Sequence, residues 1–357
     1  MTTLPIESAP PEAPPRASGG RRPPSAAAMR WRVPLLIGRR LIGAVVSLAA
    51  IVLFNFFLFN VLSSNPIRAL VRNRHLDAAA QAKLRHEFGY DQSKWQQFID
   101  YCDQLFLHHN LGISTYYTQP VWNVITERIW PTVLLVGVST VLSSVIGTWI
   151  GIKGAWERGS AFDKISNGVS VTLYSVPEFW LGLMLLLFLA GDQVGLGWFP
   201  TGGIYDDDVK PASMAGWINI GWHLVLPGLT LTLAYLAQYQ LVMRSSMLDE
   251  MGQDYVQTAR AKGLRELAVR RQHVVPNALL PAVTQILLYF GFVISGALLV
   301  ETVFSWPGLG LLTETAVSGT DFPLLRGLFL LFTGSVIVCN LIADVLLGVI
   351  DPRVREL

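Results

Sequence analysis

The chain has 357 residues, 52% of them hydrophobic and only 15% charged, with a mean hydropathy of +0.43. Soluble domains carry charge on roughly 25% of residues, so this composition excludes an ordinary soluble globular protein and indicates several membrane spans. The near balance of 27 basic and 25 acidic side chains excludes a nucleic-acid binder built on phosphate contacts, and two cysteines make no disulfide framework.

Residues 1–34 form a Pro-, Ala- and Ser-rich tail that cannot bury a core and is expected to be disordered. A cleaved leader is not expected, because the first apolar stretch is span-length and ends in no cleavage-site pattern. A bilayer core about 30 Å thick needs roughly 20 apolar residues in a helix. Leu41 to Leu62, Pro131 to Ile152, Trp222 to Met243 and Asn277 to Val300 meet that test without a charge, and Gly327 to Ile350 holds only Asp344. Ile165 to Ala190 is interrupted by Pro177 and Glu178, yet its run from Phe179 offsets one acid, so the expectation is six transmembrane helices in an all-α polytopic membrane protein.

The expected organisation is a first helix within 35–62, an insertion at 63–130, a five-helix core at 131–350 and a short C-terminus at 351–357. The insertion is too long for a bare connection. Asp77 is placed to cap a helix that Gly89 ends, and Trp95, Phe98, Ile99, Cys102, Leu105 and Phe106 recur at helical spacing, which predicts a small extracytoplasmic helical cap. Of the 27 Lys and Arg residues, 18 fall before Leu41, between Ile152 and Ile165, between Met243 and Asn277, or after Ile350, so both termini are expected in the cytoplasm. Cys102 and Cys339 fall at different levels and are not expected to pair.

Catalytic chemistry is hard to find. The chain lacks a phosphate-cradling G-x-x-x-x-G-K-[ST] loop, a zinc-binding H-E-x-x-H helix and a G-x-S-x-G elbow. His75, His86, His108 and His109 have no ligand spacing, and Ser139 has no histidine partner within the spans, so small-residue packing explains it better than a protease nucleophile. Intramembrane acids are costly and functional by default, which leaves Glu178 as a pathway or ion-coupling residue or as a satisfied carboxyl, and Asp344 as a locally paired one.

The segment 244–276 between two spans is the most informative. Leu248, Met251, Tyr255, Ala259 and Lys262 share a helix face, Gly263 is placed to stop that helix in a left-handed turn, and a second short helix with Arg265, Arg270 and Arg271 precedes Pro276, where the chain re-enters the membrane. Such a pair is either a docking knob or an interfacial amphipathic pair. The spacing resembles the E-A-A-x-x-x-G-x9-I-x-L-P loop of ABC importer permeases, with Ala259, Gly263 and Pro276 as literal matches. The run Asp254 to Leu264 is very similar to the form found in dipeptide and oligopeptide permeases. Leu111-Gly112-Ile113-Ser114, Ser175-Val176-Pro177-Glu178-Phe179-Trp180, Pro200-Thr201-Gly202-Gly203, the ten residues from Glu301 to Gly310 and Asp351 to Arg355 likewise resemble the B-type subunit of the peptide and nickel importers.

That resemblance implies a type I ABC importer permease in the bacterial cytoplasmic membrane. It implies pairing with a homologous second permease, two ATPase subunits that hold ATP and Mg, and an extracytoplasmic substrate-binding protein, with no cofactor and no enzymatic activity in this chain. It places Asp254, Tyr255, Thr258, Ala259, Arg260, Lys262, Gly263 and Pro276 in the coupling contact, with Ala259 and Gly263 allowing close docking in the ATPase groove. Glu178 and Trp180 would line the pathway, and Glu301, Trp306, Pro307 and Gly308 would form an extracytoplasmic gate or partner contact. The substrate expected is a di- or oligopeptide; the alternative is an ion-coupled secondary transporter using Glu178.

Overall fold

The computed structural model describes residues 26–62, 91–191, 195–210, 212–293 and 297–350. The expected cap at Asp77, its end at Gly89, and His75 and His86 lie outside them, as does the side chain of Asp344. The chain divides into a unit of residues 1–42 and a unit of residues 43–357. Helix α1, Ala26–Phe56, begins in the first and ends in the second, closing in a π-helical turn, Phe57–Leu62.

Among its described residues, the regular elements of the second unit are all helices, apart from one isolated bridge, Ile113 with Pro120. After α2 (Lys94–Phe106) come α3 (Val121–Trp156), α4 (Ala161–Ser175) and α5 (Glu178–Leu185). Then follow α6 (Met214–Met251), α7 (Asp254–Ala261), the single turn α8 (Glu266–Ala268) and α9 (Val275–Phe292). Helices α10 (Leu298–Val303), α11 (Leu309–Ser318) and α12 (Phe322–Ile350) complete it.

Among the described residues, Arg40–Asn60, α3, α6 and Phe322–Ala343 are long and apolar enough to cross a membrane. The span expected over Ile165 to Ala190 is not a straight helix: α4 and the stretch Glu178–Ala190 meet at 102°. Pro177 is the cause, since it has no N–H to continue α4 and its ring pushes Val176 into extended backbone, φ −86° and ψ 127°. The expected span over Asn277 to Val300 is also divided, because α9 ends at Phe292 and α10 starts at Leu298.

The bundle is organised on α3 against α6. Ser139, Ser143, Gly147, Gly151 and Ala155 recur every four residues along α3 and are buried. A Cβ on Gly147 would stand 2.7 Å from the Leu236 carbonyl, and one on Gly151 2.8 Å from the Gln240 carbonyl. The two backbones therefore approach as closely as glycine allows, which is how helices associate where lipid removes the hydrophobic drive. Ser139 donates to the Leu135 carbonyl at 2.7 Å and lies 3.3 Å from that of Gly228, so it is a packing residue of this contact.

Candidate functional site

The segment after α6 forms a knob whose base is apolar. Val256 and Ala259 of α7 are buried with Ala155, Met243, Met247, Val269, Val274, Ala278 and Ala282. Tyr255 joins three elements: its hydroxyl bonds the Glu250 carboxylate and the His273 carbonyl (3.3 Å), and it accepts from Asn277 Nδ2 at 3.1 Å. The Thr258 hydroxyl bonds back to its own helix, at the Asp254 carbonyl (2.9 Å), while Asp254 occupies the first turn, where a carboxylate suits the helix dipole.

Gly263 terminates α7 at φ +78°, with its N–H bonded to the Arg260 carbonyl (2.9 Å) and the Leu264 N–H reaching back to Ala259 (3.4 Å). This is the double closure of a Schellman end, which needs a left-handed residue. Across the turn Arg260 forks onto Glu266 at 3.0 and 3.4 Å, and Leu264 and Leu267 stand 40% and 62% exposed at the tip. Lys262 is exposed beside them. The chain does not break before the next span: α8 continues through a π-helical turn, Val269–Val274, directly into α9, and Pro276 is an exposed residue of that helix's first turn. A widened turn immediately before a proline accommodates a ring that would clash in a regular helix.

Ala259 is 4% exposed and lies in the knob's own apolar cluster, so its small size suits the internal packing there.

Beside the knob, Asp163 near the start of α4 is buried and accepts from Arg244 of α6 through Nε (2.7 Å) and Nη2 (3.1 Å), and from the Gly159 N–H (2.9 Å). Ser160 caps the same helix by accepting from the Asp163 N–H at 3.1 Å. Sequence counting registers Arg244 only as one more positive charge; the S-x-x-D spacing at Ser160 was the available hint of a helix start.

Glu178 opens α5 directly after Pro177, at the 102° bend, partly buried and with the orphan N–H groups of a helix N-terminus around it. Trp180 is 48% exposed. On the inner side of α5, a Cβ on Gly182 would stand 3.1 Å from the Phe304 ring.

Phe304 belongs to the segment running from Glu301 to Gly310. Glu301 is fully buried and accepts from Thr132 Oγ1 (2.9 Å) and from the N–H groups of Gly310 (2.7 Å) and Leu311 (3.2 Å), so it caps α11. Thr132 in turn accepts from the Leu309 N–H at 2.7 Å, and buried Trp306 donates Nε1–H to the Pro131 carbonyl at 2.9 Å. A Cβ on Gly308 would collide with both Glu301 and Thr132. Within this segment Ser305, at φ +48°, is exposed, and Thr302, Val303 and Pro307 are partly exposed. The Gly203 N–H bonds the Phe304 carbonyl at 3.0 Å, bringing the Pro200 to Gly203 motif to the same block.

The Leu111 to Ser114 motif has an analogous partner. Asp321, fully buried before α12, accepts from the Ser114 hydroxyl, the Tyr116 N–H (3.1 Å) and the Leu324 N–H (3.1 Å). Neither Thr132 nor Asp321 carries a sequence signal of its own.

Residues 143–356 match the family described as binding-protein-dependent transport system inner membrane component, and residues 34–136 match its N-terminal domain. The chain is 34% identical over 335 residues to the dipeptide transport system permease protein of Escherichia coli, covering 89% of this chain and 98% of that protein. It is 34% identical to the di/tripeptide transport system permease protein of Pseudomonas aeruginosa, covering 90% and 98%, and 35% identical to the glutathione transport system permease protein of Salmonella choleraesuis, covering 89% and 97%.

Proposed function

The chain belongs to the inner membrane components of binding-protein-dependent transport systems, and from that premise we propose that it is a permease subunit of an ATP-driven peptide importer, coupled to separate ATPases through Asp254–Gly263. The observation that carries the mechanism is a knob with a buried base and an exposed tip. Force applied at Leu264 and Leu267 passes through a packed core into α6 and α9, and through Arg244 and Asp163 into α4 and on to the bend at Pro177. Packed interfaces of this kind switch between discrete arrangements and do not flex continuously.

In this reading six spans place both termini in the cytoplasm, with the tail 1–34, the loop 244–276 and residues 351–357 inside and the insertion 63–130 outside. A homologous second permease completes the pathway, two ATPase subunits hold ATP and Mg, and a binding protein delivers peptide. Arg260, Lys262, Leu264 and Leu267 meet the ATPase; Tyr255, Thr258, Ala259 and Gly263 hold the shape that presents them. Glu178 and Trp180 face the pathway at the bend. The segment around Glu301 acts as a rigid extracytoplasmic block whose contact surface includes Ser305 and Pro307, with Glu301, Trp306 and Gly308 holding it together internally. The ion-coupled alternative has no comparable support, since the relatives are permease proteins of transport systems and Glu178 sits where a helix N-terminus favours a carboxylate.

The test is uptake of a labelled dipeptide into proteoliposomes holding this chain with its partner subunits and binding protein. Uptake that requires ATP and survives collapse of the proton gradient supports the proposal; uptake that needs the gradient and no ATP refutes it.

A further inference from the structure

Helix α2 meets three environments along its length. Its inner sector is clamped to the ends of two spans: the Phe56 ring lies 5.2 Å from Phe98 and 5.9 Å from Tyr101, Lys94 Nζ donates to the Asn60 carbonyl at 3.0 Å, and the Arg326 guanidinium sits 5.6 Å over the Tyr101 ring while bonding Asn60 Oδ1 at 2.9 Å. A second sector is polar and exposed, comprising Gln96, Asp100 and Gln104, with Gln96 donating to Asp100 at 2.9 Å. Between these two runs a third stripe, Trp95, Ile99 and Phe106, at 70%, 43% and 52% exposure. At about 100° per residue these three positions fall on one narrow line of the helix.

We propose that α2 is an interfacial membrane helix, with Trp95, Ile99 and Phe106 among the acyl chains of one leaflet and Gln96, Asp100 and Gln104 in the headgroup water. Its level in the molecule carries the argument. Phe56, against which α2 packs, lies four residues inside the end of the span Arg40–Asn60, about 6 Å along a helix, so α2 sits at the hydrocarbon boundary. The last turns of α1 and the π-helical turn after it expose Leu53, Phe54 and Phe57, and the stripe on α2 extends that apolar surface. A helix with an apolar lower face, a polar upper face and an aromatic residue at its edge has the design of an interfacial helix. The extracytoplasmic leaflet follows from the topology proposed above; immersion itself does not depend on it.

The test uses the full chain with Cys102→Ser and Cys339→Ser, reconstituted in phosphatidylcholine–phosphatidylglycerol nanodiscs and carrying a nitroxide at Ile99→Cys, Phe106→Cys, Gln96→Cys or Gln104→Cys. Immersion requires labels at 99 and 106 to collide several-fold more with oxygen than with a nickel chelate, and labels at 96 and 104 to show the reverse. Equal nickel access at all four positions, or exclusion of both collision partners at 99 and 106, would overturn the proposal. In intact spheroplasts and inverted membrane vesicles carrying the same chain, a membrane-impermeant maleimide that labels Gln104→Cys only in the inverted vesicles would overturn the leaflet assignment and the proposed topology, while leaving the collision result to decide immersion.

Discussion

Arg244 reaches across from α6 to hold the Asp163 carboxylate with two hydrogen bonds, 2.7 and 3.1 Å long, where Asp163 is almost wholly buried. A buried pair of this sort is poor evidence for net stability, yet removing one partner strands the other, at a cost of about 3–5 kcal/mol. Arg244→Met and Asp163→Leu are each expected to lower the thermal midpoint of the purified protein sharply, and the double variant to recover most of the loss. A double variant no better than the singles would show that the pair does not act as a unit.

Thr132→Val should leave the Leu309 N–H without its acceptor and Glu301 without one donor, for about 1–3 kcal/mol. Gly308→Ala should be worse, because the added methyl meets both Glu301 and Thr132. Thermal unfolding in detergent measures both; if Gly308→Ala proves as stable as the parent, the block is looser than its hydrogen bonds indicate.

The knob separates shape from contact. Ala259→Trp overfills the core below α7 and is expected to reduce stability by more than the roughly 1–3 kcal/mol typical of extra methylenes forced into a packed core. Gly263→Ala places a side chain at φ +78° and should cost about 1–2 kcal/mol. Leu267→Glu, on the exposed tip, should leave the thermal midpoint unchanged and lower transport-coupled ATP hydrolysis at least several-fold in the assembled transporter. Normal coupling in Leu267→Glu would remove the tip from the ATPase contact.

Burial pushes the Tyr101 hydroxyl up to about 12, partly offset by Arg326. Because its folded value exceeds the unfolded one near 10, its contribution is complete below about pH 10 and is lost as pH rises toward 12. Melting curves between pH 8 and 11 should show an alkaline loss that Tyr101→Phe reduces.

Much of this was legible from residue order. The apolar runs at 41–62, 131–152, 222–243 and 327–350 each coincide with a helix that qualifies as a span, because a span is specified locally by length and hydropathy. The turn at Gly263 was legible for the same reason: only glycine enters the left-handed region freely, so its position announces the helix end. The break at Pro177 was visible as an interruption, but its 102° angle was not, since a proline sets where a helix stops and the packing of Gly182 on Phe304 is part of what holds the next one in place.

The sequence by itself determined that this is a helical membrane protein of the binding-protein-dependent permease type, with a two-helix knob hinged on a glycine. Only the tertiary structure decided which side of that knob faces inward. Ala259 occupies a consensus position whose small size the resemblance ties to close docking; in the structure it is buried in the same cluster as Met243 and Ala278, while Leu264 and Leu267 take the tip. Likewise Asp163 and Arg244 are 81 residues apart, and Thr132 and Glu301 are 169 apart. Periodicity reports which face of a helix is apolar; it carries no information on which distant residue will lie opposite, because that is set by how the helices cross.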